Sequence, residues 1–461
     1  MSQIKMPQNF FKYNLLHLII SGLLLTVFSG GEGVAQTPHP QNMPKALGLE
    51  EAVKKGVFSN PEFLETLQNL RAAEQRISQA RAGYLPSVDL SGDIGREYTK
   101  NSVTEGPPGG DSETFTRKRL NIQVNQLIFD GFQTPLEVRR QKKSAEAAGY
   151  SLYETGEQKA LDIIESYIEV QRQRRRSAIA RDNIAKHTEI LTSVRESTRA
   201  GRTSRVDVDQ VLSRLAQARA DLAGIQESLD SAMASFERET GLKPRRLLGL
   251  DDNKYANLVS DLTTAVDRAH LSSPAILEAS AETERAQADY KQTAAPFYPS
   301  LNLELSGQES EDISGIQGLD RSGIIQTTVN WNLYSGGEDT ARRREFSHRL
   351  ASARALQARV SREVESQIRT QWAAMKAARE RQKNFAQQAK ANEALVSAYY
   401  QQFNLGRRKL IDVLDVQAEL FSSRSNIIES RSDEFIAIFT LKALQGRLLE
   451  SLNIENREIL P

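Results

Sequence analysis

Cysteine is absent from all 461 residues, which excludes disulfides, thiolate metal sites and a lipid-modified N-terminal cysteine. Histidine is almost as scarce. His17, His39, His187, His270 and His348 are scattered and form no metal-ligand spacing. An excess of one charge sign is missing too. The 60 basic and 59 acidic residues leave a net charge of +1. No global field draws in nucleic acid, so that partner is set aside. Apolar material is thin, at 39% against 26% charged residues. Long helices in a thin layer need no more than that, whereas a thick core does. Nucleophile–base pairs and phosphate loops are missing as well, so neither enzymatic activity nor a cofactor is expected.

Long hydrophobic runs are limited to one. Leu15 to Phe28 is an apolar run of 14 residues, preceded by Lys5 and Lys12 and followed by Gly33, Val34 and Ala35. Positive start, short apolar run and small residues describe a signal peptide, 1–35, cut before Gln36. A spanning helix would need about 20 apolar residues. No later segment is apolar enough for one. If the mature chain sits in a membrane, it does so as strands.

An internal repeat organises the rest. Ala52-Val53, Ser59-Asn60-Pro61 and Pro86-Ser87-Val88-Asp89-Leu90 recur 213 residues later as Ala265-Val266, Ser272-Ser273-Pro274 and Pro299-Ser300-Leu301-Asn302-Leu303. Val124-Asn125, Gly201-Arg202, Asp207-Val208 and Gly241 recur after 205, as Val329-Asn330, Gly406-Arg407, Asp412-Val413 and Gly446. The eight-residue difference falls between Leu90 and Val124, a stretch that holds the Gly/Pro loop at 106–111. Loops tolerate insertions and elements do not. The division follows: a first repeat at 36–243, a linker at 244–262, a second repeat at 263–450 and a tail at 451–461.

Each repeat reads helix, strand, strand, helix, helix. The helices are expected at about 47–82, 135–200 and 202–239, then 263–294, 339–405 and 408–450. Proline is absent between Pro135 and Pro244, which permits a helix of about 100 Å. The strands are expected at about 87–99, 115–130, 300–309 and 323–334. Leu120, Ile122 and Val124 alternate with Asn121, Gln123 and Asn125. Ile325, Val329, Trp331 and Leu333 alternate likewise with polar neighbours. This gives one apolar and one wet face. A sandwich would alternate in the same way; in a membrane barrel the apolar face meets lipid. In the helix near 215–236, Leu215, Ala218, Leu222, Ile225, Leu229, Ala232 and Phe236 are spaced three and four apart, a coiled-coil seam.

Four strands cannot close a membrane barrel, since the smallest have about eight, and an open edge in lipid leaves backbone groups unsatisfied. Copies of the chain must share one. Three copies give twelve strands. At this point the sequence resembles the TolC family of outer-membrane export proteins over nearly all of its mature length. Gly83-Tyr-Leu-Pro-Ser87 and Phe297-Tyr-Pro-Ser300 lead into strands, and Asn125-Gln-Leu-Ile-Phe-Asp-Gly131 and Asn330-Trp-Asn-Leu-Tyr-Ser-Gly336 leave them. Phe403-Asn-Leu-Gly406-Arg-Arg-Lys-Leu-Ile-Asp412-Val-Leu-Asp415 is the most specific element. The resemblance implies a mixed fold: a homotrimer in which four strands per protomer share a transmembrane β-barrel in outer-membrane lipid, above a long α-helical coiled-coil tunnel in the periplasm.

The resemblance also implies a gate at the tip of the tunnel, with turns at Gly201 and Gly406. The family's two aspartate rings fall on Asp412 and Asp415, its gate arginine on Arg408 and the partner aspartate on Asp207. Phe403 stands where the family has tyrosine, and Val206 where it has threonine. Read without the family, Asp412 and Asp415 are acidic residues near a helix start, where the dipole favours them by about 0.3–1 kcal/mol. Trp331 is expected at the periplasmic membrane interface. Arg174-Arg175-Arg176 and Arg342-Arg343-Arg344 read as solvated helix surface. The implied function is passive conduction in a type I secretion system, with a periplasmic adaptor and an inner-membrane transporter, an ABC ATPase or a proton-driven pump, as partners. The same channel serving small-molecule efflux is the alternative.

Overall fold

The computed structural model describes residues 46–106, 112–255, 258–259 and 261–454. The expected signal peptide, residues 107–111 of the Gly/Pro loop and residues 455–461 of the tail lie outside them. In chain order the elements are α1 (Leu49–Ser59), α2 (Pro61–Ala82), β1 (Ser87–Thr99), β2 (Glu113–Phe129), α3 (Gln133–Arg199), α4 (Arg205–Thr240), α5 (Asp252–Tyr255), α6 (Leu262–Ser272), α7 (Pro274–Gln292), β3 (Ser300–Ile313), β4 (Ile316–Asn330), α8 (Glu338–Asn404), α9 (Leu410–Leu444) and α10 (Leu448–Ser451).

Three helical expectations need correction. The stretch 47–82 is two helices, because Pro61 removes a backbone donor and starts a new helix. Asn60 caps that helix by accepting from the Glu62 N–H at 2.9 Å. Pro274 splits 263–294 in the same way, after Ser273. The last helix stops at Leu444, not 450, and a separate turn, α10, follows Gly446.

The four strands form one antiparallel sheet in the order β1-β2-β3-β4. Register carries Val88 across to Val124, Leu305 and Ile325, so one face is a row of aliphatic side chains. Leu90, Ile94 and Ile325 on that face are about 70–76% exposed, with nothing in the protomer covering them. The other face is polar. There Glu304 accepts from Gln123 and Gln326, both at 2.9 Å. β3 and β4 run further toward each other than expected, meeting at Ser314-Gly315. Both of those residues have positive φ, the two-residue turn that matches strand twist. β4 ends at Asn330, so Trp331 and Leu333 lie beyond it. Among the described residues, β1 and β4 have no outer neighbour.

Helices α3 and α8 are each 67 residues long, roughly 100 Å, and their bounds differ by the repeat offset of 205. Each doubles back through a tip turn into α4 or α9. Packing is a thin seam: Leu215, Ala218, Ile225, Ala232 and Phe236 are buried along α4. The thickest core lies midway, where Tyr167, Phe236, Phe63 and Phe439 are buried together. Here the Tyr167 hydroxyl lies 2.6 Å from the Leu248 carbonyl and 3.0 Å from that of Leu47. The linker is therefore strapped onto α3. Arg174 joins this strap by donating to the carbonyls of Pro244 and Arg245. It is not simply solvated, nor is Arg343, which stacks on Tyr290. Glu157 is buried nearby. It accepts from the N–H groups of Leu448 and Leu449 at 2.8 and 3.2 Å and pins α10. Burial pushes its carboxyl up to about 8, against the pull of those two donors.

Candidate functional site at the helical tip

Both tip turns have the same backbone. Gly201 donates to the Thr198 carbonyl at 3.0 Å and Arg202 to that of Ser197 at 2.9 Å. Gly406 and Arg407 do the same to Phe403 and Gln402, at 2.8 and 2.9 Å. This is the Schellman closure of a helix end, which needs a left-handed residue. Gly201 and Gly406 supply it at φ +70° and +71°.

The turns then diverge. In the first, Ser204 caps α4 and Asp207 closes a capping box: the Ser204 N–H and hydroxyl donate to its carboxylate at 2.9 and 3.1 Å. In the second, Lys409 occupies the cap position and offers no side-chain bond. Asp412, the counterpart of Asp207, is thereby left for Arg408, which reaches it at 3.4 Å. Arg408 also donates to Gln402 at 3.0 Å. Its guanidinium lies 3.6 Å from the centre of the Tyr399 ring, a cation–π contact.

The expected Arg408–Asp207 pair is therefore not made within the protomer. Each partner is already engaged within its own turn, although both line the groove between the turns. Asp415 does not share Arg408 with Asp412. It pairs with Arg214 of α4 at 2.8 Å. Phe403 is buried among Ile190, Leu191, Val194, Leu215, Val413 and Leu414 and acts as apolar packing. Arg214 and Tyr399 were not singled out from sequence. Tyr399 carried a signal, since it precedes Phe403 by one helical turn and so shares its face. Arg214 carried none, because its partner lies on a helix 201 residues away.

Buried groups stiffen the stem above the tip. Gln417 donates to Asn183 at 3.1 Å, linking α9 to α3. His187 is buried on α3. Burial first, and then the charge of Arg214, hold its pKa below the usual imidazole range. Among the described residues no group of side chains is arranged to hold a metal ion.

At the opposite end, where the helices meet the sheet, aromatic residues gather. A bulge between Leu127 and Phe129 turns Phe129 to the apolar face, opposite Leu301. Phe129, Phe132 and Tyr298 stack edge to face at 5.3 and 5.9 Å. Tyr84, just before β1, and Trp331 and Tyr334, just after β4, are exposed at this end of the sheet.

The model of the family described as "Outer membrane efflux protein" matches residues 58–242 and 265–447. The outer membrane efflux protein BepC of Brucella suis is 24% identical, covering 94% of this chain and 90% of that one. The alkaline protease secretion protein AprF of Pseudomonas aeruginosa is 21% identical, covering 88% and 86%. A crystal structure of a membrane protein from Pseudomonas aeruginosa superposes with a TM-score of 0.76 at 18% identity, covering 86% and 90%.

Proposed function

The chain belongs to the outer membrane efflux protein family and is an outer-membrane channel protein; from that premise we propose that it is the outer-membrane conduit of a type I secretion system. The observation that carries the channel itself is the sheet. Its apolar face is exposed and both of its edges lack a neighbour among the described residues. In lipid such edges must be paired. Three protomers close a twelve-stranded barrel, with the polar face around Glu304 lining the lumen. The helices continue that lumen into the periplasm. The tip, with Asp412, Asp415, Arg408 and Asp207, is the point of control. The protein catalyses nothing and conducts passively. A periplasmic adaptor and an inner-membrane transporter complete the path.

Secretion is favoured over efflux by the stretches Gly83–Glu97 and Asn125–Phe132, which look most like the secretion branch of the family. The name of the Pseudomonas relative supports it. The name of the Brucella relative supports the second reading, the outer channel of a tripartite small-molecule efflux pump. A deletion strain separates the two. Loss of one or more proteins from the culture medium, with unchanged drug sensitivity, supports secretion. Hypersensitivity to small toxic molecules with an unchanged medium supports efflux. Cross-linking of the purified protein in detergent to a trimer tests the assembly.

A further inference from the structure

Just below the aromatic level, the helices that join the sheet carry exposed cations. Arg139 and Lys142 lie in the second and third turns of α3, Arg342 and Arg344 in the second turn of α8, and Arg81 in the last turn of α2. None of these five makes an ion pair with another described residue. Nearby charges cancel among themselves: Glu137 is paired with Arg140 at 2.6 Å, and Lys143 with Glu146 and Glu284 at 2.6 and 3.0 Å. Asp339, which accepts from the Ser335 hydroxyl, and Glu338 are the acids of the first turn of α8, and the five cations outnumber them. The collar is therefore locally basic in a chain whose net charge is +1.

The collar also faces the right way. Phe132 caps α3, with Leu136 donating to its carbonyl at 3.2 Å. Arg139 follows seven residues later, on the same side of the helix and about 10 Å along the axis. That side is the one on which Phe129, Phe132 and Tyr298 stack, continuous with the apolar face of the sheet. Arg344 occupies the position of Arg139 in the second repeat, at the offset of 205. Two arginines per protomer thus lie one headgroup depth from a membrane boundary marked by aromatics.

We infer that this collar docks the anionic phospholipid headgroups of the periplasmic leaflet, with Arg139 and Arg344 as its centre. This rests on the reading of the sheet as membrane-spanning. The phosphate and glycerol of such lipids fit guanidinium donors, and a negative membrane surface attracts each nearby Lys or Arg.

The test uses the full-length protein in nonionic detergent, titrated with phosphatidylglycerol or phosphatidylethanolamine and read by native mass spectrometry. Phosphatidylglycerol should bind more tightly. Arg139→Ala with Arg344→Ala should weaken it about 25-fold, at roughly fivefold per arginine. Arg139→Lys with Arg344→Lys should retain most of the preference, and 0.5 M salt should erase it. Lys142→Glu is a second, single variant expected to move affinity the same way. Equal affinity for the two lipids, or no change in the double alanine variant or in Lys142→Glu, overturns the inference. So does displacement of phosphatidylglycerol by soluble acidic cell-wall fragments, which would make the collar a wall-binding surface. Planar-bilayer conductance separates this from the parent reading. A protein that conducts normally without lipid preference refutes only the collar, whereas one that never inserts refutes the channel.

Discussion

Arg214 of α4 holds Asp415 of α9 at 2.8 Å, so the opening turns of two helices from different repeats are tied by one ion pair. Both partners are about half exposed, and such pairs contribute roughly 0.2–1 kcal/mol. Its effect is positional. A double-mutant cycle on Arg214→Ala and Asp415→Ala should give a coupling within that range. Single-channel recording of Arg214→Ala should show more frequent openings than wild type. An unchanged opening frequency would mean that the pair does not restrain the tip.

Pairing also bears on the charge of the proposed constriction. Asp412 is bound by Arg408 and Asp415 by Arg214, so each carboxylate is partly compensated. Multivalent cations should block the periplasmic mouth. Asp412→Ala with Asp415→Ala should relieve the block, while Arg214→Ala should deepen it by uncovering Asp415. Arg408→Ser should raise resting conductance. If the double alanine variant keeps the wild-type block, the aspartates are ordinary residues of a helix start.

Glu157 makes stability depend on pH. Its folded pKa, about 8, lies above the ordinary glutamate value of 4.5. Between those values the native state holds a proton that the unfolded state has lost. The contribution of Glu157 to stability is therefore greatest below about 4.5, falls as pH rises and is lost once pH passes about 8. Glu278, pushed up to about 7 by burial first and then by Glu154, adds to the same slope. Glu157→Gln should flatten the decline and melt several degrees higher than wild type at pH 8, with little difference at pH 5. Parallel melting curves from pH 5 to 8 would exclude this role.

Gly201 and Gly406 have open space where a Cβ would sit. Gly201→Ala and Gly406→Ala therefore meet only the backbone penalty of a left-handed residue, about 1 kcal/mol each. Amide exchange should accelerate in the turns and in the first turns of α4 and α9, and not around Tyr167. Uniform acceleration along the helices would contradict a local effect.

Trp331 lies one residue beyond β4 and is 58% exposed, at the same end of the sheet as the exposed Tyr84 and Tyr334. Trp331→Asp places a charge where an aromatic ring would rest in the headgroup region. Yield of inserted protein in outer-membrane fractions should fall severalfold. Wild-type yield would remove Trp331 from the interface.

Much of the architecture was legible because it rests on periodicity. The seam from Leu215 to Phe236 and the alternation from Leu120 to Asn125 are local patterns, and they specify helix and strand before any long-range contact forms. The repeat offset placed Gly201 and Gly406 in matching turns, since a left-handed turn depends on its own few residues. Pro61 and Pro274 were visible in the sequence too, but their effect was underestimated: an unbroken apolar pattern does not replace a missing N–H.

What the sequence by itself determined, then, is whatever depends on neighbours along the chain: helix, strand, turn and the apolar face of each. Charges within one turn belong here too: Asp207 and Asp412 occupy the same place in the repeat, yet one is closed in a capping box and the other faces Arg408, because Ser204 is matched by Lys409. Tertiary structure alone decided which charges meet between helices. Asp415 found Arg214 only because α4 and α9 lie side by side at the tip. Ion pairing depends on the distance between side chains in space, and a spacing of 201 residues along the chain carries no information about that distance.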